Sequence, residues 1–126
     1  MTLLDFKSIE EELFSHGEWK SFNVLVRTGK WSGRGQIPAV LFLTKDALFY
    51  GGCHATHGKF HRISRKSISK ACIVGRMFLK CIEVEYLGAA GARKIFMCPF
   101  SGEPHQPSLE LAELHNLYNA LKVPAK

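Results

Sequence analysis

The stretch Ser108-Leu-Glu-Leu-Ala-Glu-Leu-His-Asn-Leu-Tyr-Asn-Ala-Leu-Lys122 decides the fold. Its Leu111, Leu114, Leu117, Tyr118 and Leu121 recur at i, i+3, i+6, i+7 and i+10, the spacing of one face of an α-helix. Ser108 is placed to cap the first turn, Glu110 to meet the positive end of the helix dipole, and Lys122 to meet the negative end, with Pro124 as a stop. Everything between residue 19 and this helix has a different period. Phe22, Val24 and Val26 alternate with Asn23, Leu25 and Arg27, the pattern of a strand with one buried face. The chain therefore ends a series of strands with a single helix.

Working backwards, Lys94 to Phe100 and the segment with Ile82, Val84 and Tyr86 on one side read as two strands joined across the glycines of Gly88-Ala-Ala-Gly91. Glu83 and Glu85 fall on the other side of that alternation. Ala71 to Val74 and Phe60 to Ile63 are shorter strands. Pro38 to Thr44 and Ala47 to Tyr50 flank the turn residues Lys45-Asp46 as a hairpin that runs into Gly51-Gly52. At the N-terminus, Phe6, Ile9 and Leu13 lie at i, i+3 and i+7, with Asp5 as N-cap and Gly17 where a helix would stop, which predicts a short helix.

With 126 residues, 46% of them hydrophobic, the chain has enough apolar material for one core, and residues 1–126 read as a single domain. About seven antiparallel strands are too many for one flat sheet at this size. The expected fold is α+β, mainly β: a barrel or orthogonal sandwich whose open end is capped by the C-terminal helix. Its leucine stripe would fill the interior and push any binding site out to loops and strand edges. No stretch has the length of a membrane span or the plan of a signal peptide, which predicts a soluble, cytoplasmic protein. Of the four cysteines, three sit in strand-like apolar runs, so all four read as small buried hydrophobes in a reducing compartment rather than as a disulfide framework.

This order of elements, with Gly17-Glu18 leading into a strand and Leu43-Thr-Lys-Asp-Ala-Leu-Phe-Tyr50 as strand, turn and strand, resembles the pleckstrin-homology superfold. The GRAM and bacterial pleckstrin-homology types are the most similar variants. The likeness covers residues 17–122 and leaves the N-terminal helix, residues 1–16, outside it. It implies a non-catalytic binding module for anionic membrane lipids or a protein partner, peripheral to a membrane when lipid-bound.

A formal charge of +6 favours anionic partners without choosing among them. Arg27, Lys30, Trp31 and Arg34 surround an irregular Gly-bearing stretch, where arginine forks and backbone N–H groups can hold phosphate and a loop tryptophan suits a membrane interface. They resemble the basic first-hairpin loop of lipid-binding pleckstrin-homology domains, although the following Gln36-Ile-Pro-Ala39 lacks the basic second strand of such binders. Lys59, Arg62, Arg65 and Lys66, with His61 and Lys70, make a second basic cluster around the fourth strand. Nucleic acid is the alternative anionic partner, but sheet-based nucleic-acid modules stack bases on exposed aromatics, and the aromatics here follow the core periodicity. A structural or oligomerising role, with the charge incidental, is the third alternative. Cys53, His54, His57 and His61 lack the paired spacing of a zinc site, and no nucleophile-elbow or phosphate-loop motif occurs, so neither metal, cofactor nor catalytic residue is expected.

Overall fold

The computed structural model describes residues 3–15, 19–27, 37–52, 57–76, 79–88, 91–99 and 107–122. Helix α1 (Phe6–Ser15) is followed by β1 (Trp19–Arg27), β2 (Ile37–Thr44), β3 (Ala47–Gly51) and β4 (Phe60–Ser64). A 3-10 turn, Arg65–Ser67, leads into β5 (Ile68–Arg76), β6 (Leu79–Gly88), β7 (Gly91–Pro99) and α2 (Pro107–Lys122). The seven strands form one antiparallel open sheet in the order β4-β3-β2-β1-β7-β6-β5.

That order forces curvature. Laid flat, seven strands would put the edges about 29 Å apart. Yet the edge strands β4 and β5 are consecutive in the chain and joined by three residues, which reach less than about 14 Å even when extended. The sheet must therefore curl until its two edges meet at this corner, enclosing the inward faces. Phe22, Val24 and Val26 of β1, Leu41 and Leu43 of β2, Leu48 and Tyr50 of β3, Ile82, Val84 and Tyr86 of β6, and Ile95 and Met97 of β7 make one buried cluster. Leu114, Leu117 and Leu121 of α2 complete it, with Tyr118 packed partly against it. The helix closes one end of the curled sheet, as its stripe predicts.

Two details of α2 depart from the sequence expectation. Its first residue is Pro107 rather than a position after a Ser108 cap, consistent with proline's fixed φ and missing N–H suiting the first helical position. Leu111 is 46% exposed, outside the buried stripe. The first turns of α2 stand off from β1 and β7 across a groove of about 260 Å³ lined by Phe22, Pro99, Leu109 and Glu113. Leu109 and Leu111 thus lie short of the sheet surface that takes up the later leucines.

The outer face carries two smaller cores. Ile9 and Leu13 of α1 bury against Ala47, Phe49 and Phe60, so the N-terminal helix lies on the outside of β3 and β4. Asp5 caps it as expected, its Oδ1 accepting hydrogen bonds from the Ser8 N–H and hydroxyl at 2.9 and 2.8 Å. Ahead of the cap, Leu4 pairs with Phe60 through two backbone hydrogen bonds of 2.8 and 2.7 Å, covering part of the β4 edge. Across the sheet, Cys81 and Cys98 pack with Phe96, Leu25 and Val74.

Here the cysteine expectation is corrected. Cys81 and Cys98 are buried in an apolar setting, but they are joined by a disulfide, with 4.4 Å between their Cα atoms. Strands β6 and β7 pair symmetrically about the Gly88–Gly91 turn, in a register that includes Ile82 with Met97 and Gly88 with Gly91. The same register sets Cys81 opposite Cys98, although 17 positions separate them in sequence. Cys72 is a free thiol, half-buried on β5.

At the β3 end, Gly51 has φ +146°, and a Cβ there would run into the Lys59 carbonyl oxygen. Gly52 follows at φ +65°. The pair lets the chain leave β3 while the Gly52 N–H still bonds to Lys59 at 2.9 Å.

Candidate functional site

The cations singled out from the sequence have several different roles in the structure. Arg27, the last residue of β1, is only 6% exposed, with its guanidinium 5.0 Å from the centre of the Phe96 ring. Lys30, Trp31 and Arg34 lie outside the described residues. Arg62 points outward from β4, its Nε 3.3 Å from both carboxylate oxygens of Glu12 on α1, and its guanidinium lies 5.8 Å from the Phe49 ring. Glu12 of α1 thus supplies an anchor to the sheet. Lys59 and Lys66 are exposed.

Arg65 occupies the corner where the sheet edges meet. Its N–H donates to the Asp46 carbonyl at 2.9 Å and its Nη1 to the Thr44 carbonyl at 3.1 Å. Its Nη2 donates to the carbonyls of Ala120 and Leu121 at 2.7 and 3.3 Å. One planar fork therefore ties the β2–β3 turn, the 3-10 corner and the C-terminal carbonyls of α2, where a cation also meets the negative end of the dipole. Thr44 finishes that turn from the other side, its buried hydroxyl accepting from the Ala47 and Asp46 N–H groups at 3.1 and 3.3 Å. Partial burial lowers the Arg65 pKa from its ordinary value. Arg65→Ala is expected to lower the unfolding free energy by about 2 kcal/mol, because several charge-assisted hydrogen bonds to carbonyls are lost together. Urea unfolding checks the loss, and Arg65→Lys should recover less than half of it, since an ammonium cannot reproduce the fork.

Two groupings were not anticipated. On the outer face, the rings of Phe14, Trp19, Phe42, Phe60 and Phe6 form a connected set with centroid separations from 5.5 to 6.3 Å. Phe6, Phe14 and Trp19 are 43%, 57% and 38% exposed. Trp19 falls on the same side of the β1 alternation as Ser21 and Asn23, away from Phe22 and Val24, and that placement was a legible signal of an outward ring.

The second grouping lies inside, at the end of the curled sheet opposite α2. Tyr50 and His61 are direct cross-strand partners on β3 and β4, their rings stacked at 4.7 Å. Tyr86 and Arg93 are partners on β6 and β7. Tyr86 and Arg93 both act on the Tyr50 hydroxyl, Tyr86 raising its pKa and the charge of Arg93 lowering it. Because β3 and β6 are not neighbours in the sheet, the two pairs meet across the interior. Burial, with Tyr86 adding to it, pushes the Tyr50 pKa from 10.0 up to about 12, and burial lowers that of His61. The folded state thus holds the Tyr50 proton more tightly than the unfolded chain. Its stabilising contribution is complete below pH 10 and disappears as pH rises towards 12. Denaturation midpoints measured across that window should fall for the wild type and fall less steeply for Tyr50→Phe.

On the outer face of β6, Glu83 sits between Lys70 and Lys94 at 3.8 and 3.9 Å, and the Cys72 thiol lies 3.7 Å from its carboxylate. Glu83, read as a solvent-side carboxylate, is therefore engaged by its neighbours. Among the described residues no group of His, Cys, Asp and Glu side chains is arranged to hold a metal ion, and no helix is long and apolar enough to cross a membrane. Compared with known proteins, the chain matches no family model, and no curated protein is significantly similar to it.

Proposed function

We propose that this chain is a non-catalytic binding module of pleckstrin-homology type that engages an anionic membrane surface. The observation that carries the reading is the filled and capped interior, where Leu114, Leu117 and Leu121 occupy one end of the curled sheet. A large ligand then has to be met from outside, by loops, edges and the positive field of a chain with formal charge +6. The strand series closed by one helix fits the family resemblance. Exposed Lys59 and Lys66 are the cations of the second cluster best placed for this role, because Arg62 and Arg65 are committed to Glu12 and to backbone carbonyls.

The test is co-sedimentation with anionic and neutral vesicles at low and moderate salt, run beside oligonucleotides of equal charge. Anionic vesicles should bind in a salt-sensitive way, and a Lys59→Gln/Lys66→Gln variant should bind less. Indifference of the wild type to anionic vesicles would sink the reading, and tight oligonucleotide binding without vesicle binding would replace it with nucleic acid.

The exposed rings of Phe6, Phe14 and Trp19 favour a second reading, in which the module docks a protein partner. Phe14→Ser/Trp19→Ser should then abolish partner capture while leaving vesicle binding intact. Loss of neither activity would dismiss this second reading.

A further inference from the structure

We infer that the outer-face rings and the unpaired carboxylates of α1 form a docking surface for a cationic, apolar peptide segment of a partner protein, which sets an arginine between Glu10, Glu11 and the rings of Phe14 and Trp19. The inference rests on the docking reading of the exposed rings and names the chemistry of the partner that fits them.

Three observations carry it. The rings make a continuous surface: Phe6 and Phe42 stand 6.2 Å apart, Phe42 and Trp19 5.5 Å, and Trp19 meets Phe14 edge-on at 6.0 Å. Phe6, Phe14 and Trp19 stay exposed along it, and a contiguous apolar patch of this kind marks an interaction site. Second, carboxylates share the row of the rings. Phe6, Glu10 and Phe14 follow i, i+4 and i+8 on α1, so Glu10 stands between the two rings, and Glu11 lies three residues before Phe14. Glu12 is held by Arg62, but Glu10 and Glu11 are exposed, and neither makes an ion pair or side-chain hydrogen bond among the described residues. The last turn of α1 has no basic residue, and the negative end of its dipole adds to their field. Lys7, the one cation of α1, lies a turn earlier, towards Asp5. Third, the sign of this patch opposes that of the chain. A formal charge of +6 draws anions to the molecule as a whole, whereas Glu10 and Glu11 set the rings against an anionic bilayer and in favour of a cationic partner.

Arginine suits the surface better than lysine. Its planar guanidinium can lie over the Trp19 or Phe14 ring while its N–H fork meets a carboxylate, and an apolar neighbour of that arginine covers the remaining ring surface.

The test is fluorescence anisotropy of three labelled peptides titrated with the full chain: one alternating arginine and leucine, one with glutamate in place of arginine, and one with serine in place of leucine. The arginine–leucine peptide should bind, and the other two should bind weaker by about tenfold or more. Non-specific attraction to a chain of charge +6 would favour the glutamate peptide instead, so a preference for that peptide overturns the inference, as does absence of binding to all three. Glu10→Gln/Glu11→Gln is expected to weaken binding of the arginine–leucine peptide by roughly threefold to tenfold, two exposed charge pairs. Phe14→Ser/Trp19→Ser should weaken it by about tenfold or more, the loss of the aromatic anchors, and Glu113→Gln on α2 should bind as wild type. Dependence on the rings without dependence on the carboxylates, in variants whose unfolding midpoints are native, keeps the docking reading and overturns the cationic partner. Binding that Phe14→Ser/Trp19→Ser leaves unchanged overturns both. Light scattering and vesicle co-sedimentation examine the other occupants: self-association that Phe14→Ser/Trp19→Ser abolishes would put a second copy on the rings, and loss of anionic-vesicle binding in that variant would put a membrane there, either of which overturns the inference.

Discussion

Leu117→Ala is expected to lower the unfolding free energy by about 4 kcal/mol, near the upper part of the range for emptying a fully buried leucine site. Leu117 has no exposed surface and lies in the cluster that joins α2 to the inward faces of β1, β2, β3, β6 and β7. Its side chain is therefore part of the closure of the barrel and of the core at once. The surrounding strands are hydrogen-bonded on both sides, except at the edges, and cannot collapse freely into the space left behind. Leu111→Ala is the matched control: the same atoms are removed from the same helix at a position 46% exposed, and the loss should stay within about 0.5 kcal/mol. Urea unfolding of the two variants reads the difference, and hydrogen exchange along α2 should accelerate only for Leu117→Ala. Equal losses at the two positions would contradict the placement of α2 over the interior.

The second large effect concerns the outer face. Replacing Cys81 and Cys98 together by alanine should lower stability by about 3 kcal/mol, the chain-entropy cost of opening a loop of this length, since 17 positions separate the bonded residues. Both sulfurs sit among Phe96, Leu25 and Val74, so the alanines also give up some packing. Wild-type protein in reductant should approach the double variant, whereas Cys72→Ala, a change at the free thiol, should shift the midpoint little. Identical midpoints for wild type and double variant without reductant would exclude the cross-link.

The cysteine pair is hidden in the sequence for a physical reason: both residues lie in strand-like apolar runs on either side of the Gly88 to Gly91 turn, and spacing along the chain does not give spacing in space. A hairpin converts one into the other: residues equally distant from its turn become neighbours, and Cys81 and Cys98 satisfy that condition. The strands and both helices were legible because their periods of 2 and 3.6 are written in consecutive residues. Leu111 was misplaced because periodicity gives a helix face but not how far a partner surface extends beneath it. The arginines show the same limit. Arg62 finds Glu12 fifty residues away and Arg65 finds Ala120 at a separation of 55, partners that no local window contains. A basic cluster read by count thus mixed structural forks with exposed lysines. The Tyr50, His61, Tyr86 and Arg93 grouping was hidden for a related reason, since it joins two cross-strand pairs from opposite walls of the curled sheet.

The pairing of β1 with β7 sets the order in which this chain can be completed. Val24 bonds alongside Pro99, so during synthesis the second edge of β1 has no strand to meet until β7 has left the ribosome. At roughly 5–20 residues per second, the interval is on the order of several seconds. A hairpin of β1 and β2, extended by β3 and β4, can assemble in that time, with Leu4 and α1 covering its far side, but its β1 edge stays open. The seam with β7 then closes as a long-range step, slow by topology, and α2 follows it. Nascent chains of this protein should therefore depend on whatever shields an unpaired strand edge during translation.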